Sequence, residues 1–477
     1  MVREVATVGS SPFGGSMNKD KKMTLFSSIL MGIGSIVGAS IFATTPIAIK
    51  IIGGNGIVWG FILASVFVFV KTWPEMVTSS ALPASGGSYM HLTRLIHPSV
   101  GILHSINYLV VGPMKVATMA LTFGTYFAML VPSAPVVVVS VAITILFTIL
   151  TLYGIKLASW VQNVMVVVLL SAIGLYVFMG WGNTVVTLGA VLSTTFKLSK
   201  LWAAMGIMHG SLMGANALMY VADEIENPGK NIPIAFIVGT IVTAFIYAAM
   251  AYVTVGVMPQ FFKIDNLATT AKIFMSPTAL TFFISGGALL AVVTSINSAI
   301  LMFSRCHMAA ARDGLYPAAI MKINKHGAPA NAIWLNTAIA VLAMAAGFNL
   351  TDVINITSIP GLLLSPIILA AVFWLPVKYP SSYKTAFLNV PHWLNCIVVV
   401  VASALCLLLG SYVLKQMAPK NYITMAVFYV VAFAYVLGRA KYLKSKHGVD
   451  MLATMKKPYE PWAEREKLAA AKLASKA

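Results

Sequence analysis

The amino-acid sequence predicts an all-α integral membrane protein of twelve transmembrane helices, and three observations carry that expectation. Of the 477 residues, 59% are hydrophobic and only 9% charged, and a mean hydropathy of +0.88 lies far outside the range of soluble domains. Apolar stretches of about 20 residues, the length that crosses roughly 30 Å of hydrocarbon, recur along the whole chain. The basic residues are shared unevenly between the segments that join those stretches, as membrane topology demands.

Taken in order, the stretches fall at approximately 25–51, 56–80, 99–131, 134–152, 158–181, 201–222, 232–258, 279–309, 330–348, 353–376, 394–414 and 421–440. The third is long enough to require tilt. Residues 1–23 have no apolar core and end in Lys19, Lys21 and Lys22, so no cleavable signal is expected and this tail belongs in the cytoplasm. Twelve crossings bring the C-terminal tail, 441–477, back to the same side. On that topology 23 of the 32 Lys and Arg residues are cytoplasmic, 7 are outside and 2 lie within spans. The expected location is the plasma (inner) membrane.

A net charge of +19 follows from this bias and implies no nucleic-acid partner. Ten of the basic residues lie from Arg439 onward, and the closing PWAEREKLAAAKLASKA suits a solvated or membrane-surface helix. Cys306, Cys396 and Cys406 lie in or beside apolar spans without CxxC spacing. They are expected as small core residues, with no disulfide, metal or other cofactor implied.

Within the first span, residues 31–43 read MGIGSIVGASIFA, an unusual density of poor helix formers. The Gly34–Gly38 pair alone would suit close helix packing. A second stretch shifts the balance: SIVGAS at 35–40 recurs 176 positions later as SLMGAN at 211–216, in the middle of span six. The first ten spans then divide into two sets of five, and an odd number of crossings inverts the second set relative to the first. Interrupted helices at matching places leave backbone groups unpaired at membrane depth, a cost of several kcal/mol each unless a cavity or ligand supplies partners. The N–H groups near Gly38, Ala39 and Ser40, at the start of a half-helix, suit a carboxylate. Carbonyls near Ile36 and around Gly210, Met213 and Gly214, with Asn216 beside them, suit an ammonium group. A ligand with both groups on one carbon is an amino acid.

These residues and four motifs resemble the amino acid–polyamine–organocation transporter superfamily. GSIVGASIF (34–42) is similar to its G-x-x-x-G-S-G-I-F, PASGGSY (83–89) to its P-x-S-G-G-x-Y, DEIENPGKNIP (223–233) to its E-E-x-x-N-P-x-[KR]-N-I-P, and ARDGLYP (311–317) to its A-R-D-G-x-x-P. The resemblance implies a LeuT-type fold with helices one and six unwound. The first repeat would cover 24–181, the second 201–376, and two extra helices 394–440. It further implies that spans one, two, six and seven rock against three, four, eight and nine. Gly86, Gly87, Glu224, Asn227 and Pro228 would help close the cytoplasmic route, and Glu75 falls where the family often places a glutamate. Two departures stand out. The family's last glycine is Ser40, and no aromatic occurs between 209 and 216, where many relatives carry a gate.

Ionisable residues inside spans are costly and functional by default. Lys71 and Glu75, at i,i+4 spacing, are expected to pair. Lys115, mid-way along span three, is expected to face the substrate cavity, where it binds an acidic part of the solute or carries a coupling proton. With Glu75 spent on Lys71, no carboxylate remains for a cationic side chain, so neutral or acidic amino acids rank above basic ones and polyamines. Thr294 and Ser295, with Asn297 and Ser298, offer hydroxyls for an oxygen-only Na⁺ site or, equally, for bonds back to their own helix. The lysine that some proton-coupled relatives carry in span five is replaced by Leu169. Ion-coupled symport and solute exchange both stay open, as does a transporter-like sensor without net transport. No paired acids, metal cluster or nucleophile with its base point to an enzyme, no TVGYG filter points to a channel, and the lone His209 suits a cavity wall. The chain is expected as a monomer or homodimer.

Overall fold

A computed structural model of the chain describes residues 22–260, 263–346, 350–415 and 417–475. Among them every regular element is helical, apart from isolated bridges pairing Met23 with Ile225 and Ile323 with Pro329. Thr24 caps α1 (Leu25–Ile36) by accepting from the Ser27 N–H at 3.3 Å, which satisfies one of the free donors at a helix start. Val37 and Gly38 leave helical geometry and α2 (Ala39–Ile52) begins, so the first apolar stretch is two half-helices. α3 (Ile57–Ala81) follows. Gly86 and Gly87 then take φ of +101° and +51°, values that strain any residue with a Cβ. They lead through α4 (Ser88–His91) and a π-helical turn at 92–96 into α5 (Pro98–Leu130), then α6 (Val136–Leu152) and α7 (Ile155–Trp181).

The sixth stretch is also interrupted. After the short α8 (Leu188–Leu192), α9 (Leu198–Leu212) unwinds over 213–216 before a single turn, α10 (Ala217–Tyr220). Asn227, the one non-glycine described residue at positive φ, precedes Pro228 at the first position of α11 (Pro228–Val257), where a missing N–H costs nothing. Next come α12 (Leu267–Phe274) and α13 (Pro277–Phe282), which runs through a π-helical segment at 283–289 into α14 (Leu290–Arg312). After α15 (Ala330–Ala345) come α16 (Leu350–Leu363), α17 (Ser365–Leu369) and α18 (Ala371–Lys378), bent by 45° where Pro360 and Pro366 each remove a backbone donor. α19 (Pro380–Lys384), α20 (His392–Leu414), α21 (Pro419–His447), α22 (Met451–Lys456) and α23 (Glu460–Ala474) complete the chain.

By length and composition, seven helices among the described residues can cross a membrane, or eight with the bent pair counted as one. The other four expected spans are the first and sixth, which are interrupted, and the fourth and ninth, whose helices have 17 and 16 residues. Side chains such as Phe178 and Phe245, 83% and 77% exposed, point away from the core. They would be unfavourable in water and are at home in hydrocarbon.

Two helix groups form the body. α1, α2, α3, α9 and α11 pack on one another, α5, α6, α14 and α15 make a second group, and α7 lies between them. At the face carrying the described ends of the chain the groups are tied together. Arg94 holds Asp313 with two bonds of 2.6 Å, and Tyr89 donates to the same carboxylate at 2.7 Å. Arg305 holds Glu224 at 2.9 and 3.3 Å with both side chains almost fully buried. Met23 adds backbone bonds to the carbonyl of Glu224 and the N–H of Glu226. The SGG, ENPGKNIP and ARDG motifs, distant in sequence, thus meet on one face.

Candidate functional site

The two interruptions touch. A Cβ on Gly214 would overlap the Ser35 carbonyl and the Ile36 nitrogen, and a Cβ on Gly38 would overlap the Ser295 hydroxyl. Glycine at both places follows from contact between backbones, with chain flexibility secondary. The Ile36 carbonyl, freed by the break, accepts from the Tyr247 hydroxyl at 2.6 Å and the Gly38 N–H at 2.7 Å. The Gly34 carbonyl accepts from the hydroxyls of Thr294 at 3.0 Å and Ser295 at 3.4 Å. Ala39 and Ser40 open α2 with Gly38 as N-cap and no side-chain cap. Their side chains lie outside the described set.

Beside the breaks lies a cavity of about 140 Å³. Lys115, Gly210, Met213 and Asn216, all expected at the site, line it, together with Thr44, Lys71, Glu75, Asn107, Tyr108, His209, Phe303 and Ser358. Ile36, Gly38 and Gly214 stand behind this wall, at the junction of the two breaks. Lys115 is half-buried and has no ion-pair partner among the described residues.

The expected Lys71–Glu75 pair is absent. The two side chains share a helix face, as i,i+4 spacing requires, but the Lys71 ammonium reaches across the cavity. There it donates to the Gly361 carbonyl at 2.9 Å and lies 3.0 Å from the Met213 sulfur. A carbonyl beside a helix bend and a thioether at a helix break solvate it in place of a carboxylate. One consequence is that Glu75 stays available to the cavity. Among the described residues it is the only acid lining that cavity, against two lysines.

An aromatic plug separates the cavity from the clamped face. Tyr220, just after the break, donates to the Tyr108 hydroxyl at 3.1 Å, and His104 Nε2 lies 3.1 Å from the Tyr220 oxygen. Tyr108 sits edge-on to Phe303 with ring centres 5.1 Å apart. The stretch between 209 and 216 carries no aromatic, and this plug is not visible in any one stretch of sequence because its rings come from three helices. Tyr220, four positions after Asn216, was the available signal.

The hydroxyls at 294–298 are engaged in a compact network. Thr294 donates to Ala291 O at 2.9 Å as well as to Gly34 O, and Ser298 donates to Thr294 O at 3.0 Å. The amide nitrogen of Gln162 donates to Thr294 O and to the Ser298 hydroxyl oxygen, both at 3.2 Å, while Asn297 holds the other end of that amide at 3.0 Å. Two elements expected to border an ion site are therefore joined by a hydrogen-bond donor. Leu169 is fully buried and apolar.

A family model described as amino acid permease matches residues 23–437, which takes in both breaks, the cavity and the clamped face. The chain belongs to the amino acid permease family. Among similar proteins, the permease is 23% identical over 418 residues to the methylthioribose transporter of Bacillus subtilis, covering 81% of this chain and 87% of that one. It is 26% identical over 354 residues to an uncharacterised protein of Methanocaldococcus jannaschii, covering 71% and 79%. It is 23% identical over 352 residues to the vacuolar cationic amino acid transporter 4 of Arabidopsis thaliana, covering 68% and 58%. The permease is thus an integral membrane transporter by family, with small molecules as the class of solute.

Proposed function

We propose that the permease moves amino acids, neutral or acidic ahead of basic, across the plasma membrane by alternating access, with both termini in the cytoplasm. The observation that carries this reading is the junction of the two interrupted helices beside a polar cavity. Broken helices in corresponding places concentrate backbone dipoles where a zwitterion can use them. Division into repeats at 24–181 and 201–376 agrees with the packing of α1, α2, α3, α9 and α11 against one another and of α5, α6, α14 and α15 likewise. The first group would rock against the second. Lys71 and Lys115 outnumber Glu75 in the cavity wall, which favours an electrically neutral or acidic side chain. Gly210, Met213 and Asn216 face the solute, and Ile36, Gly38 and Gly214 hold the backbone that grips it. Symport and exchange both fit this geometry.

One observation favours a second reading, a carrier of basic amino acids or amines. Glu75 is not neutralised by Lys71, and a carboxylate in the cavity suits a cationic side chain. The similarity to a cationic amino acid transporter points the same way. A thermal-shift screen of the purified permease against the common amino acids and polyamines decides between the two, because a ligand of the native state raises the unfolding midpoint. Neutral or acidic amino acids are expected to give the shift. A response confined to arginine, lysine or polyamines would establish the second reading, and no response to any of them would remove both.

A further inference from the structure

Glu75 stands between two hollows. It lines the solute cavity, and it also lines a second hollow of about 10 Å³ with Thr78, Ser88, His91 and Ile368, space for about one water. The second hollow lies toward the clamped face, since Ser88 and His91 belong to the short helix that follows the SGG turn. Between the hollows the carboxylate is nearly without support. Among the described residues Oε2 is buried with no partner, and Oε1 has only the Ser88 hydroxyl, at 3.5 Å, too long for a strong hydrogen bond. Glu224 and Asp313 at the clamped face are, by contrast, each bound by an arginine.

The titratable and charged groups around Glu75 are few. Lys71 lies on its own helix, His91 on α4, Tyr108 and Lys115 on α5, His209 on α9, Tyr220 on α10 and Cys406 on α20. None of them forms an ion pair with it, and Lys71 is engaged by Gly361 and Met213. An unpaired buried carboxylate lowers its cost by taking a proton.

We propose that Glu75 carries a coupling proton between these two hollows. With the cavity open to the outside, hydronium there gives its proton to the carboxylate. When the Tyr108–Tyr220 plug parts on the other side, the proton passes to water in the smaller hollow. On loading, an O–H bond of hydronium breaks as that of the carboxyl forms; on release, the carboxyl O–H breaks as one to the receiving water forms, leaving the carboxylate and a hydronium. The proposal rests on the transporter reading above.

The test uses the full-length permease in proteoliposomes, with a ¹⁴C-labelled mixture of the common L-amino acids as probe. An outside-acid gradient of one pH unit should drive the wild type to as much as about tenfold accumulation, the limit for one proton per solute. E75Q should lose that accumulation while label-for-label exchange remains measurable, and E75D, which keeps a carboxylate, should retain coupling. Accumulation by E75Q equal to that of wild type would overturn the proposal. So would a wild type whose uptake ignores the pH gradient, a result that stands even if E75Q fails to fold. A wild type that neither accumulates nor exchanges label would instead remove the transporter reading for these solutes, and the proposal with it.

Discussion

Gly210 and Gly214 lie one helical turn apart by sequence and make opposite demands. A Cβ at 210 would find its nearest neighbour, the Ser358 hydroxyl, at 3.7 Å, whereas one at 214 would run into the backbone of Ser35 and Ile36. Backbone cannot rotate out of the way as a side chain can. Gly214→Ala should therefore destabilise by about 1–3 kcal/mol, the usual cost of overpacking, and open the junction between the breaks. Gly210→Ala should leave the unfolding midpoint unchanged or raise it, since alanine favours helix over glycine by up to about 1 kcal/mol. Thermal unfolding of the two variants in detergent checks this pair, and equal midpoints would show that the two breaks do not touch. The matched SIVGAS and SLMGAN stretches made Gly38 and Gly214 legible, because they are a local pattern. The environment of Lys71 was not legible. Its carbonyl and sulfur partners lie 290 and 142 positions away, while the i,i+4 rule weighs only neighbours on the same helix.

At the scale of elements, α23 does more than follow the membrane surface. Its Trp462 is fully buried, donates to the Pro83 carbonyl at 3.1 Å and stacks on His91 with ring centres 5.4 Å apart. One turn on, Arg465 donates to the Ser80 carbonyl at 3.2 Å, and the Glu466 carboxylate accepts the N–H groups of Ser381 and Ser382 at 2.8 and 2.7 Å at the start of α19. The basic, alanine-rich composition suggested a solvated or membrane-surface helix, and this docking through one tryptophan and one carboxylate is a correction that composition could not supply. Burial holds the His91 imidazole down at about 4, with the Leu82 carbonyl offsetting part of the effect. Burial also pushes the Glu466 carboxyl up, but bonds from Ser382 and Ser381 outweigh it and leave the group below its ordinary value. Both folded values are depressed, so both contributions are present at neutral pH and are lost on acidification. The histidine contribution fades between its unfolded value near 6.5 and about 4, and the Glu466 contribution fades below the ordinary carboxylate range. Limited proteolysis should therefore release the segment after Pro458 faster at pH 5 than at pH 7. Trp462→Ala should release it at both, and a cleavage rate that ignores both pH and Trp462 would mean that α23 is not docked in solution.

For the whole molecule, the division into apolar stretches, the two interruptions and the assembly of three motifs on one face could all be anticipated. Each depends on hydropathy or on short patterns that survive any tertiary arrangement. The aromatic plug could not, because Tyr108, Tyr220 and Phe303 acquire a common purpose only once α5, α10 and α14 are side by side. Beneath that plug the buried Arg305–Glu224 pair joins the end of the interrupted sixth stretch to α14, and so fastens one helix group to the other. Removing one partner of a buried pair costs about 3–5 kcal/mol, because the remaining charge is left without compensation. If the groups rock, that cost falls on the state closed at this face and much less on the state in which water reaches the arginine. Glu224→Ala should then shift the population toward the open state by well over tenfold, since each 1.4 kcal/mol is a factor of ten. Asn107, a cavity-lining residue beside the plug, provides the reporter. Asn107→Cys, in a background lacking Cys306, Cys396 and Cys406, should react with a membrane-impermeant maleimide from the Glu224 side much faster when Glu224→Ala is present. The same cysteine should react more slowly from the opposite side, because a shift in population gains access at one face only by losing it at the other. Faster labelling from both sides would mean that the variant has loosened the fold, and unchanged labelling would mean that the pair does not fasten one group to the other.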